Sequence, residues 1–185
     1  MCLCETRAKL INVNLALAHL AYVRLVEANL KGANLNIANL NNANLFQANL
    51  VGVKMDDSDL VGANLIEVDL TGANLTRAKL GNTILIDANL TNANLMNANL
   101  AHADLIGANL TNTNLTGADL IGANLSKVDF SNAILKELNI NAANFSDAIL
   151  NNTLTLSLPK IWNDDSLGVP RMHPEANKGA MLCER

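Results

Sequence analysis

Aromatic side chains make up only 3% of the 185 residues: one Trp, one Tyr and three Phe. An ordinary globular core is excluded, because such cores take much of their buried area from large rings. Proline is scarce too, and its three copies, Pro159, Pro170 and Pro174, all lie near the C-terminus. No apolar run approaches the roughly 18 residues that would mark a transmembrane helix. The first residues, Met1 to Arg7, hold no apolar stretch of the kind a secretory signal needs, so a cytoplasmic location is expected. Net charge is −4 at pH 7, which gives no basis for binding nucleic acid or an anionic membrane. The three cysteines are an odd count. Cys2 and Cys4 are too close for an easy disulfide, and Cys183 lies at the far end. Cys2 and Cys4 would supply two metal ligands at most, with no nearby His or Cys to complete a site, so free thiols are expected.

What the chain does have is a five-residue period, running from Ala8 to Asn152 without an insertion. Its centres fall on residue numbers divisible by five. Of the 29 centres between residues 10 and 150, Leu fills 25, and Met55, Phe130, Ile140 and Phe145 fill the rest. Two residues earlier stands a small residue, Ala in 20 copies and Val in five. The residue before the centre is Asn in 16 copies and Asp in five. On an α-helix a step of five advances about 140° net, which scatters the leucines around the axis. In one continuous strand an odd step sends successive leucines to opposite faces. A short extended piece followed by a bend in each copy keeps them together, with the small residue and the centre both pointing inward. The core ladder is then made by leucines such as Leu30, Leu35, Leu40 and Leu45, and later Leu90, Leu95, Leu100 and Leu105.

The bend chemistry agrees. Seven of the ten glycines lie two places after a centre, and Asn fills the same slot in eight copies. Both residue types accept the positive φ that tight turns need. Runs such as Ala28-Asn29-Leu30-Lys31-Gly32 and Ala118-Asp119-Leu120-Ile121-Gly122 resemble the A(D/N)LXX motif of the pentapeptide repeat family. The resemblance covers 145 of the 185 residues. It implies an all-β fold, a right-handed quadrilateral β-helix with four pentapeptides per coil, here about seven coils. At a rung spacing of about 4.8 Å such a rod is roughly 34 Å long.

Three segments follow: a lead-in over 1–7, the repeat solenoid over 8–152, and a C-terminal cap and loose tail over 153–185. The first copies are irregular, with Val13, Val23, His19, Tyr22 and Arg24 in unusual slots, as the end repeats of solenoids often are. Past Ser126 the pattern loosens, and Leu138 takes a small-residue slot. Leu154 to Leu158 alternates like a strand, and 153–162 is expected to lie over the open end of the last coil. Asp56, Asp57 and Asp59 form a carboxylate cluster that reads as a solvated corner. A calcium loop would need six to eight oxygens at set offsets.

No nucleophile–base pair, phosphate loop or Cys/His cluster of useful spacing is visible, and no cofactor, metal or enzymatic activity is expected. With four copies per coil, His19 and His102 lie about four coils apart, roughly 19 Å, too far to share a metal. Residues twenty apart then stack. One outward column reads Val26, Phe46, Ile66, Ile86, Ile106, with Ile84 beside it. The same face carries Glu27, Glu67, Asp87, Asp104 and Asp147 against Arg24 and Lys127. An exposed apolar column flanked by acids is what a protein-binding surface looks like. The expected function is therefore a non-enzymatic protein-binding or structural scaffold. The resemblance also implies two alternatives, a DNA mimic that binds or protects DNA gyrase, and a stress- or nutrient-linked accessory protein of cyanobacterial type. A homodimer through the C-terminal end is a further expectation.

Overall fold

The computed structural model describes residues 7–154. Each residue before a centre bridges, in parallel, the residue twenty positions further on: Asn44 to Asn64, Asn64 to Ile84, Ile84 to Asp104. One coil is thus twenty residues, or four pentapeptides, and the chain is a single-stranded solenoid. The bridges continue to Leu154, which pairs with Ile134. Most of the expected cap, from residue 155 onward, lies outside the described residues.

Each pentapeptide contributes one short wall segment and one bend. The centre carbonyl accepts from the N–H three residues on, as in Ala28 N to Leu25 O at 3.1 Å and Ala93 N to Leu90 O at 2.9 Å. Within that turn the second residue after the centre is left-handed. Every fifth residue from Arg7 to Asn152 has φ between 52° and 71°. This is the third residue of the turn, where type II geometry requires positive φ. Gly and Asn dominate the slot because they adopt that conformation at least cost.

The first residue after the centre has no backbone partner for its N–H, and this explains the Asn or Asp before the centre. Asn44 Oδ1 accepts from Phe46 N at 3.1 Å, and Asp69 Oδ1 from Thr71 N at 3.0 Å. Where the turn residue is Thr, its hydroxyl donates to the same oxygen, as Thr76 Oγ1 does to Asn74 Oδ1 at 2.7 Å. The side-chain amide then reaches the neighbouring rung, as Asn94 Nδ2 donates to Thr76 Oγ1 at 2.9 Å. The amide therefore closes a local turn and ties two rungs together.

Inside, leucines stack on leucines and alanines on alanines. Leu30, Leu35, Leu40, Leu45, Leu90, Leu95, Leu100 and Leu105 are all at 0% exposure. Ser58, Thr83 and Thr113 take small-residue slots and satisfy their hydroxyls on backbone carbonyls, of Met55, Leu80 and Leu90 respectively. Phe130 and Phe145 fill the C-terminal coils, their rings tilted at 36° with centroids 6.0 Å apart. Leu138 is too large for its slot. It stays half-buried, and the turn it should close lacks the bond to Leu135 O.

Two outcomes follow from this packing. Leu95→Ala removes a fully buried side chain from a narrow coil and should cost about 2–5 kcal/mol, read as a lower denaturant midpoint. Asn94→Ala removes the acceptor for Met96 N and the donor to Thr76, and should cost about 1–2 kcal/mol. Asn94→Asp keeps the acceptor and should recover most of that. Equal loss from both substitutions would show that the acceptor is not what matters.

Candidate functional site: an apolar corner column

Each corner of the solenoid carries two outward columns, one for each turn residue. On the corner after centres 25, 45 and so on, the first column is Val26, Phe46, Ile66, Ile86 and Ile106. All five are half-buried, where the sequence pattern predicts exposure. The reason is the rung spacing. At about 4.8 Å, successive branched side chains stand closer than their own width, so each covers the flanks of its neighbours. The column is a continuous ridge whose outer edge alone meets solvent. Its backbone is held by the wall beside it, since Asn64 Oδ1 accepts from Ile66 N at 3.1 Å and Asp104 Oδ1 from Ile106 N at 3.3 Å. Ile84 stands where an Asn or Asp normally sits, beside Ile86, and is 37% exposed.

The second column on this corner is Glu27, Gln47, Glu67, Asp87 and Gly107. Gln47 Nε2 donates to Glu67 Oε2 at 2.7 Å, and Arg7 Nε to Glu27 Oε2 at 2.7 Å. The Asp87 carboxylate lies over Gly107, in the place a Cβ there would occupy. Glycine at 107, with φ +69°, thus supplies both the turn and the space for the carboxylate one rung below. The structure therefore brings Glu67 and Asp87 alongside Ile66 and Ile86, one turn position away.

The carboxylate cluster at 56–59 is tied up by neighbours on the next rung. Arg77 grips Asp57 with two hydrogen bonds of 2.7 Å, Asn74 Nδ2 donates to Asp56 at 2.8 Å, and Lys79 Nζ lies 3.5 Å from Asp59. The Arg77 hydrogen bonds hold the Asp57 carboxyl below its usual range. Among the described residues no group of three or more His, Cys, Asp or Glu could hold a metal ion. His102 sits on a corner with its ring over Gly122, four coils from His19 on the adjoining wall.

Apart from Ile84, the large apolar residues that most stand in solvent are elsewhere, and the column reading misses them. Leu17 is 65% exposed, Tyr22 75%, Ile37 57% and Ile11 52%. A signal was present in the sequence. Leu17, Tyr22 and Ile37 occupy the slot that Gly and Asn otherwise dominate, where a side chain can only point outward.

Comparison with known proteins bears on the fold. The family described as pentapeptide repeats matches with eight copies, over residues 6–36, 38–77, 73–112 and 113–152. No curated protein matches the chain. A pentapeptide repeat protein from the Arabidopsis thaliana thylakoid lumen is 33% identical, covering 49% of this chain and 63% of that one, so under two thirds of its length, with a TM-score of 0.48. HetL, a pentapeptide repeat protein involved in heterocyst differentiation regulation in the cyanobacterium Nostoc, is 24% identical over 81% of this chain and 90% of its own, with a TM-score of 0.30. QnrB1, a plasmid-mediated fluoroquinolone resistance protein, is 16% identical over 78% and 80%, with a TM-score of 0.46. With its ladder repeating at every twentieth residue and its matched copies spanning most of the sequence, the chain belongs to the pentapeptide repeat family, whose fold is a right-handed β-helix.

Proposed function

We propose that the protein is a non-enzymatic scaffold that binds another protein along the corner formed by Val26, Phe46, Ile66, Ile86 and Ile106, with Ile84, Glu67 and Asp87 at its margin. Members of this family are in general structural or binding proteins. The observation that carries the proposal is an apolar ridge unbroken over five successive rungs beside an acidic column. The four steps between those rungs span about 19 Å. The corresponding columns on other corners are mixed: Lys31, Val51 and Thr71 follow one another on one, and Asn36, Asp56 and Thr76 on another. Residues 7–154 make about seven coils, a rod of roughly 34 Å. Because its surface is held by the backbone ladder, binding costs little ordering entropy.

A protein partner in a cytoplasmic setting is the simplest occupant of that ridge. Among the described residues no helix is long and apolar enough to cross a membrane. Ile149 and Leu154, 44% and 52% exposed on the last rungs, support a homodimer through that end. Mimicry of duplex DNA at gyrase is disfavoured by magnitude. A duplex of about 34 Å carries about 20 phosphate charges. The described residues hold 12 Asp and Glu against 9 Lys and Arg.

The test is Ile66→Lys with Ile86→Lys. Both sites are half-buried, and a lysine stem can lie along the ridge with its ammonium in water, so the fold should persist. Proteins captured by the wild type from native lysate would be purified and their direct binding measured. The double variant should bind the true partner at least about tenfold more weakly, as for loss of a central apolar contact. Unchanged binding, with circular dichroism unchanged, would place the contact elsewhere. In parallel, inhibition of purified gyrase supercoiling at micromolar protein would restore the DNA-mimic alternative.

A further inference from the structure

Ile84 breaks the wall pattern in the middle of the ridge. In the same wall position Asn44, Asn64 and Asp104 offer Oδ1 to the N–H of Phe46, Ile66 and Ile106, at 3.1, 3.1 and 3.3 Å. Ile84 has no acceptor to offer. Between Phe46 and Ile106, Ile86 is the one ridge residue whose N–H has no partner among the described residues. On another wall such a gap is filled. Lys54 takes the Asn slot there, and Asp56 N turns to Asn36 Oδ1 on the neighbouring rung at 3.1 Å. The ridge thus carries one free backbone donor near its centre, beside the exposed side chain of Ile84.

The rest of the ridge backbone is already paired. The carbonyls of Phe46, Ile66, Ile86 and Ile106 accept from the N–H of Glu27, Gln47, Glu67 and Asp87 at 2.8, 3.0, 2.9 and 2.9 Å. No run of donors and acceptors is left for a strand to pair with. An occupant must therefore satisfy its own backbone, as a helix does. Charge is also segregated around these rungs. From Asn64 to Asn109 the corner and its two walls carry Glu67, Asp69, Asp87 and Asp104, and no Lys or Arg. None of these acids forms an ion pair among the described residues. The cations of the same coils, Arg77 and Lys79, lie on the opposite corner and the wall after it, where they hold Asp57 and Asp59.

We infer, resting on the ridge as the binding surface, that its occupant is a basic amphipathic helix of another protein that sets a side-chain acceptor on Ile86 N–H. The apolar face of the helix covers Ile66, Ile84, Ile86 and Ile106, and its cations face Glu67, Asp87 and Asp104. A second copy docked ridge to ridge would set acid against acid, and anionic lipid is repelled in the same way. A helix of about 13 residues spans the roughly 19 Å of the ridge. Its turns advance about 5.4 Å against about 4.8 Å per rung, so an apolar stripe keeps register to about 1 Å over the rungs of Ile66, Ile86 and Ile106.

The test uses the full chain and a fluorescein-labelled peptide of about 18 residues, long enough to hold a helix, with a Leu stripe, Lys flanks and a central Gln. One control has Glu in place of Lys, and another has the same composition in strict apolar–polar alternation. The basic helical peptide should bind at least about tenfold more tightly than either control. Glu67→Gln with Asp87→Asn should slow its association about tenfold at low salt. Ile84→Asn is the decisive variant. It gives Ile86 N–H an acceptor within its own rung, so it should raise the thermal midpoint and yet weaken binding about tenfold, which separates recognition from folding. Equal binding of the alternating peptide, indifference to the charge change, or unchanged binding by Ile84→Asn would each overturn the inference. So would self-association through the ridge, or sedimentation with phosphatidylserine vesicles without peptide binding. If Ile66→Lys with Ile86→Lys loses the partner captured from lysate while the wild type shows no preference for the basic helix, this inference falls and the ridge reading stands. If that variant keeps the captured partner, the ridge reading falls and this inference with it.

Discussion

Parallel pairing of each wall residue with the one twenty positions on constrains everything else in this protein. A ladder of that step needs coils of constant length, and a constant coil needs a bend at every fifth residue. One residue more or less in any turn would put the following leucines outside. The bend in turn needs a left-handed residue and an acceptor for an otherwise unpaired N–H. Asn or Asp before the centre supplies that acceptor, as Asn64 does for Ile66. The core is the consequence: with four walls so close, Leu at the centres and Ala in the small slots dominate the inside. Leu138 shows the tolerance, since a larger residue in the small slot leaves its turn without the closing hydrogen bond.

The same pairing turns single side chains into columns. An isoleucine at a turn is flanked by residues from the rungs above and below, so Ile66 and Ile86 are half-buried although they point outward. Columns also explain the polar surface. Arg77 reaches Asp57, and Gln47 reaches Glu67, each across twenty residues of sequence and one rung of space. Glycine acquires a second role in this setting. Gly107, Gly117 and Gly122 make room for Asp87, Asn97 and His102 from the rung below. A rod assembled in this way is uniform in its interior and can vary its surface rung by rung.

That freedom is where the proposed binding ridge lies. The acidic-flanked ridge runs along one corner from Val26 in the first coil to Ile106. It needs no departure from the repeat in the core, because the outward slots are independent of the inward ones. Strain at an outward slot likewise stays local, as at Leu17, Tyr22 and Ile37, which hold a backbone conformation that favours Gly or Asn.

Sequence by itself determined the inward slots, the bend positions and the uniform register, because a period of five admits no regular helix or strand. The Ala and Leu slots and the Gly and Asn turn slot follow directly from residue size and φ preference. It also indicated which outward residues share a column, once the family's four copies per coil were assumed. The hydrogen-bonding task of the Asn before each centre was not legible, because it depends on where the turn places one particular N–H. The half-burial of Val26 to Ile106 was settled only by the tertiary structure. Burial here is a property of neighbouring rungs, each of which covers the flanks of the next.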